Sequence, residues 1–226
     1  MLHHLINLIF PKVCAGCKCI LLEAENAICT SCRHEIPTTS HFADFNNDAF
    51  KVFYGRVDVV FVATLFYFQK QSLVQEIIYS LKYRGNQAVG KALGDWAGHS
   101  LKNLAVANTF DIVIPVPLHL KKLRKRGYNQ VSKFGQSIAE ILQIDYNETI
   151  LKRNINTKSQ TKKSTISRNI IDSNVFEAIF DEIHHNKHFL IVDDVLTTGA
   201  TIEACVMALK KINGAKVSII CMAFTQ

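Results

Sequence analysis

Hydrophobic and polar positions along the chain fall into blocks whose period changes repeatedly. Residues 57–68, broken only by Asp58 and Thr64, are dense in β-branched and aromatic side chains and predict a strand. Leu73, Val74, Ile77, Ile78 and Leu81 then recur at the spacing of one helix face. Lys82-Tyr83-Arg84-Gly85 closes that helix with a basic last turn and a glycine, and Leu93, Ala97, Leu101 and Leu104 mark a second. The continuous apolar run 111–117 predicts a short strand stopped by Pro115 and Pro117, and residues 129–142 carry a helical stripe of Val131, Phe134, Ile138, Ile141 and Leu142. Phe189 to Val192 reads as a buried strand. Ile202, Cys205, Val206, Leu209 and Ile212 lie on the helix after it, Gly214 ends that helix, and 217–224 forms a last strand. Strands alternating with helices imply an α/β fold, with a mostly parallel sheet and helices on both faces.

Two segments lack a usable period. The polar stretch 37–48 predicts a linker, so that residues 1–48 form a small N-terminal unit and 49–226 the main domain. The tract 154–167, rich in Ser, Thr, Asn and Lys, predicts a long loop of the kind that is functional or disordered. The N-terminus is apolar but has no basic flank, long apolar core or small-residue cleavage site, so no secretion is expected. No stretch approaches the roughly 20 apolar residues of a membrane span, and a cytoplasmic protein without membrane insertion is expected. The formal net charge of +7 is uneven: residues 118–168 hold twelve Lys or Arg against three Asp or Glu, which points to an anionic partner for that stretch.

The candidate chemistry concentrates after the strand at 189–192, in Asp193-Asp194-Val195-Leu196-Thr197-Thr198-Gly199-Ala200-Thr201. A helix start offers unpaired N–H groups and the positive dipole end, a glycine lets backbone approach closely, and Thr197, Thr198 and Thr201 add hydroxyl donors to a phosphate. Asp193 and Asp194, at the carboxyl end of a strand, can accept hydrogen bonds from vicinal sugar hydroxyls. The plainer alternative is an acid pair that only caps a helix. A P-loop does not fit, because no Gly-Lys-Ser/Thr ending follows.

At the N-terminus, Cys14-Ala15-Gly16-Cys17 and Cys29-Thr30-Ser31-Cys32 supply two Cys-x-x-Cys knuckles with the spacing of a closed structural zinc site, and zinc is the expected metal. A thioredoxin-like redox role is the alternative and needs only one such pair. Cys19 has neither partner nor spacing and reads as a free thiol or as a ligand in competition with Cys17, whereas Cys205 and Cys221 lie on apolar faces and are expected in the core. Lys121, Lys122, Arg124 and Lys125, with Arg126 and Tyr128 beside them, can contact nucleic-acid phosphates, face a pyrophosphate, or simply form a solvated face. His184, His185 and His188 are expected at the surface.

The stretch 193–201 resembles the phosphoribosyl pyrophosphate signature of type I phosphoribosyltransferases. Together with Phe10-Pro11 before the cysteines, Lys82-Tyr83-Arg84-Gly85, Pro115-Val116-Pro117-Leu118, Arg126-Gly127-Tyr128-Asn129-Gln130 and Thr157-Lys158-Ser159-Gln160-Thr161, the chain resembles the ComF family, which includes ComFC competence proteins and GntX-like proteins. The resemblance implies a phosphoribosyltransferase fold with residues 193–201 as the phosphoribosyl pyrophosphate loop and Asp193 and Asp194 as catalytic acids. It also implies Mg²⁺ as cofactor, a pyrophosphate-side loop after Pro117, and a lid at 154–168. Arg84, Arg126, Lys158 and Lys162 are the candidates for neutralising pyrophosphate. Two functions follow as expectations. One is phosphoribosyl transfer to an unidentified acceptor. The other is a non-catalytic role in DNA uptake, sensing a phosphorylated ribose or holding single-stranded DNA alongside DNA-uptake proteins.

Overall fold

The computed structural model describes residues 11–154 and 175–226. In chain order it contains α1 (Thr30–Glu35), α2 (Asp48–Lys51), β1 (Val62–Tyr67), α3 (Leu73–Tyr83), α4 (Gln87–Lys102), β2 (Ile112–Pro115), α5 (Leu120–Arg126), α6 (Ser132–Leu142), β3 (Asp145–Tyr146), β4 (Leu151–Arg153), β5 (Phe176–Ala178), β6 (His188–Leu196), α7 (Ala200–Leu209) and β7 (Lys216–Phe224). Local signals explain most boundaries. The Ser72 hydroxyl caps α3 by accepting from the Gln75 amide, and Gly85 and Gly214 take positive φ just beyond helices, where a side chain would be strained.

Five strands form one sheet in the order β1-β7-β6-β2-β3, every pairing parallel, while β4 and β5 make a separate antiparallel pair. The central strands are apolar on both faces, as a sheet covered on both sides requires. On one face Ala63, Leu65, Val113, Leu190, Val192 and Ile220 pack against α3, α4 and α6. On the other, Val62, Ile114, Phe189, Ile191 and Ile219 pack against α7, with Leu151 of β4 and Phe176 of β5. The α/β architecture with a mostly parallel sheet and helices on both faces is therefore the one the periodicity predicts.

Strand β2 has β3 on one side and β6 on the other, and the helices that follow β2 and β6 lie on opposite faces of the sheet. The connections leaving the carboxyl ends of β2 and β6 consequently diverge. Such a switch point opens a crevice at the sheet edge, and open α/β sheets bind ligands there.

The structure differs from the sequence expectations in several places. The strand expected over 57–68 is confined to 62–67, and the polar segment before it is tied to the edge of β1. The Thr39 amide donates to Leu65 O at 2.9 Å, the Asn47 side-chain amide donates to Val62 O at 2.9 Å, and the buried His41 contacts Thr64 Oγ1 at 3.0 Å and Asp48 Oδ1 at 2.6 Å. These polar residues satisfy backbone and hydroxyl groups that an edge strand would otherwise leave bare. His188 is not a surface residue: it opens β6, is buried, and its ring contacts Thr109 Oγ1 at 3.0 Å and Ser218 Oγ at 2.9 Å. The basic run 120–126 is a helix with no apolar stripe to announce it. Its His119 side chain accepts from the Lys121 amide, Gly127 closes it at φ +78°, and none of its residues is buried.

Among the described residues no helix is long and apolar enough to cross a membrane.

Candidate functional site

Strand β6 does not stop at Val192. It runs on through Leu196, so both acids lie inside the strand, and its pleat turns consecutive side chains to opposite faces. Asp194 faces α3 and α6. Its Oδ1 accepts from Lys82 Nζ at 2.8 Å, and its Oδ2 accepts from the Gln130 side-chain amide at 2.7 Å. Gln130 is held in turn by Arg126, whose Nη1 donates to Gln130 Oε1 at 2.7 Å. Asp193 is half-buried and lies toward α7. Its Oδ1 accepts from the Asp194 backbone N–H at 2.8 Å. Burial, and then the Asp194 charge beside it, push the Asp193 carboxyl up to about 7 against the opposing pull of Lys82 and Lys122. The buried Cys205 and Cys221 thiols are raised by burial first and by Asp193 next, in keeping with the core positions expected for them.

Beyond the strand, Thr197, Thr198, Ala200 and Thr201 are exposed, and Gly199 takes φ +74° as the residue that opens α7, with no side chain capping the helix start. Gly199 has two reasons to lack a side chain. Its φ lies in the left-handed region, and a Cβ would come within 2.8 Å of Val52 Cγ1. The turn is braced from behind: Arg56 Nη1 donates to Thr198 O at 2.7 Å and to Val52 O at 3.0 Å, while its Nη2 pairs with the nearly buried Glu203 carboxylate. The result is a fixed turn, open to solvent, with helix-start amides aimed outward beside a carboxylate pair. Physically it can hold a phosphate at the turn and polar hydroxyls at the acids.

The other candidates are distributed unevenly. Val116 and Pro117 leave β2 next to β6, with the Val116 amide donating to Val192 O at 3.0 Å. A cleft of about 580 Å³ opens there, lined by Pro115, Pro117, Leu123, Tyr128, Asn129 and Arg153. Arg126 reaches the acid pair through Gln130. Arg84 instead approaches Glu76 at 3.8 Å and lies 5.3 Å over the Tyr79 ring. Lys121, Lys122, Arg124 and Lys125 sit on solvated α5. Lys158 and Lys162, and the lid expected at 154–168 apart from Asn154, lie outside the described residues. Sequence reasoning did not single out Lys82, Gln130 and Arg56. The first two stand inside motifs quoted above, but nothing local to Arg56 announces a partner 142 residues away.

The cysteines form a second centre. The sulfurs of Cys14, Cys17, Cys19 and Cys29 all lie within 4.8 Å of one another and can hold a metal ion. Cys17 and Cys19 Sγ are 3.2 Å apart and Cys17 and Cys29 Sγ 3.7 Å. Zinc–sulfur bonds of about 2.3 Å in a tetrahedron set the sulfurs about 3.8 Å apart, so the donor set and its spacing fit that metal. Cys32 is buried at the start of α1, where its amide donates to Cys29 Sγ at 3.4 Å. Cys19 thus stands in the four-sulfur set where spacing predicts Cys32, while the Cys32 thiol lies beside that set and interacts with Cys17, Cys29 and Cys14. A hydrogen bond from the Cys19 amide is the chief cause that lowers the Cys17 thiol to about 6. The cluster is anchored to the main domain: Cys14, Ile28 and Cys32 belong to the same packed core as Ile77 and Leu81 of α3.

Residues 132–225, which include β6, the Thr-Gly turn, α7 and β7, match the phosphoribosyl transferase domain family. That stretch of the chain is similar to a phosphoribosyl transferase domain. The homologues of the chain are ComF-family proteins: competence protein F of Haemophilus influenzae, 30% identical over 110 residues covering 48% of each chain, and DNA utilization protein YhgH of Shigella flexneri, 28% identical over 116 residues covering 51% of this chain and 50% of that one. The chain spans about half the length of the curated relatives it matches. Among solved structures, the allosteric regulatory enzyme of purine biosynthesis is similar with a TM-score of 0.38 and 20% identity, covering 58% of this chain and 26% of that one. Adenine phosphoribosyltransferase from Leishmania tarentolae is similar with a TM-score of 0.38 and 15% identity, covering 80% of this chain and 89% of that one.

Proposed function

We propose that the turn at 197–201 binds the 5′-phosphate of phosphoribosyl pyrophosphate or a close relative, with Asp193 and Asp194 serving its sugar. The observation that carries this reading is the join of β6 to α7: an open Thr-Thr-Gly turn at a helix start, at the switch point of a parallel sheet, with two carboxylates in the strand just before it. Lys82 and Arg126 supply positive charge at the acid pair, and Lys122 lies near enough to act on Asp193. A bound Mg²⁺ would offset the diphosphate charge, with the protein contributing one or two carboxylates, of which Asp193 has the freer second oxygen. Residues 1–48 act in this reading as a zinc-stapled module on the 49–226 domain, and its four-sulfur cluster is structural. The reaction class is phosphoribosyl transfer. Titration calorimetry with phosphoribosyl pyrophosphate plus Mg²⁺ tests the binding step: saturable heat that weakens when Mg²⁺ is withheld is expected, and no heat at millimolar ligand rejects the assignment.

A second reading has its own observation. Arg84 lies over Tyr79, Tyr79 and Tyr83 have ring centroids 4.9 Å apart, and Arg126 lies 5.1 Å over Tyr83, so a half-exposed Arg-Tyr-Tyr-Arg ladder runs beside the basic helix α5. Stacking faces next to phosphate-binding cations suit a single nucleic-acid strand. The names of the relatives, a competence protein and a DNA utilization protein, agree with single-stranded DNA as the partner. Reversing the charge at Lys121, Lys122, Arg124 and Lys125 should weaken oligonucleotide binding and flatten its dependence on salt, as loss of phosphate contacts dictates. A salt slope that stays unchanged rejects this reading.

A further inference from the structure

We infer that Lys82 and Gln130 are positioning residues, a two-point clamp that fixes the Asp194 carboxylate toward a bound sugar; this rests on the sugar-phosphate reading above. Asp194 is nearly buried, and each of its oxygens already has one donor, Lys82 Nζ on Oδ1 and the Gln130 amide on Oδ2. A carboxylate offers about four lone-pair positions, so the clamp sets its orientation while leaving acceptor capacity for ligand hydroxyls. Both arms are themselves fixed. Lys82 stands in the last turn of α3, and the Tyr128 hydroxyl donates to the carbonyl of Leu81 next to it. Gln130 cannot turn its amide over, because Arg126 occupies Oε1 and leaves only the nitrogen for Asp194. Of the two cations in Lys82-Tyr83-Arg84-Gly85, the lysine serves the acid, while the arginine turns away to Glu76 and Tyr79. The phosphate turn, by contrast, is braced by Arg56, which donates to the carbonyls of Thr198 and Val52. The clamp thus acts on the sugar end of a ligand and not on its phosphate end.

That separation is measurable with two probes, ribose 5-phosphate and inorganic phosphate, titrated into the full chain and into the variants Lys82→Met, Lys82→Arg and Gln130→Leu. Charge-assisted hydrogen bonds of this kind correspond to about tenfold to a hundredfold in affinity. Lys82→Met should therefore weaken ribose 5-phosphate binding about tenfold or more and leave inorganic phosphate within about twofold. Lys82→Arg should recover most of the loss. Gln130→Leu should act in the same direction as Lys82→Met, and the double variant should lose less than the product of the two, because both residues act on one carboxylate. Equal weakening of both probes in Lys82→Met would reduce Lys82 to a general charge effect and overturn the clamp, as would unchanged ribose 5-phosphate affinity. Should Lys82→Met not fold, Gln130→Leu decides: normal ribose 5-phosphate affinity in that variant overturns the clamp. A wild-type chain that binds neither probe overturns the site reading itself, and the clamp with it.

Discussion

Asp193→Asn is expected to make the protein more stable above pH 7 and to weaken its binding of phosphoribosyl pyrophosphate with Mg²⁺. The Asp193 carboxyl titrates at about 7 in the folded chain, raised by burial and by Asp194, against about 3.9 in an unfolded chain. Between these values the folded state holds the proton and the unfolded state has lost it. The linkage slope is therefore negative there: the stability associated with this group is full below pH 4, falls as pH rises, and is gone above about 7. Asparagine removes the penalty because it does not ionise, and its side-chain oxygen can still accept the Asp194 N–H. The variant should gain about 1 kcal/mol at pH 8, a typical yield from removing one unfavourable charge, which is about 2–4 °C in thermal midpoint for a chain of this size. The gain should shrink to nothing near pH 4. Calorimetry at pH 8 should show the affinity for the Mg²⁺-loaded ligand lowered by roughly tenfold to a hundredfold, since a charged acceptor is lost. Thermal scans from pH 4 to 8 provide the check. A variant that melts below the wild type at pH 8 would contradict the assigned environment of Asp193.

Removing the metal from the cysteine cluster should unfold residues 12–36 and loosen α3. Structural zinc contributes about 10–16 kcal/mol of apparent binding energy in small zinc modules, as large as the whole stability of a typical domain. The damage should spread along contacts: a Cβ on Gly16 would lie 3.4 Å from Leu73 and 3.7 Å from Ile77, so the cysteine loop rests directly on α3. Hydrogen exchange before and after a strong chelator should show protection lost across 12–36 and reduced in α3, while β6, β7 and α7 keep theirs. Metal analysis of the intact chain should find one zinc per chain. Protection that is indifferent to the chelator would remove the metal from the fold.

Lys82 bears on both results, because it stands on α3 and holds Asp194. A chelated chain should accordingly lose sugar binding before it loses its sheet.

How much of this was legible beforehand depends on the range of each interaction. The alternation of strand and helix, the basic stop with glycine at Gly85, the Thr-Thr-Gly turn into α7 and the paired cysteines are local patterns, because each rests on a backbone period, a helix end or a metal that needs close ligands. Amino-acid order therefore determined the class of fold, the place of the candidate turn at 197–201 and the presence of a sulfur cluster. The tertiary structure alone decided that β6 carries both acids within the strand, that Lys82 pairs with an aspartate 112 residues away, that Arg56 braces the carbonyl of Thr198, that His188 is buried, and that Cys19 joins the cluster. Each of these depends on which elements become neighbours in the sheet and its helical layers. A contact between distant segments leaves no periodic trace in either of them, so only the packed chain brings such groups within hydrogen-bonding reach.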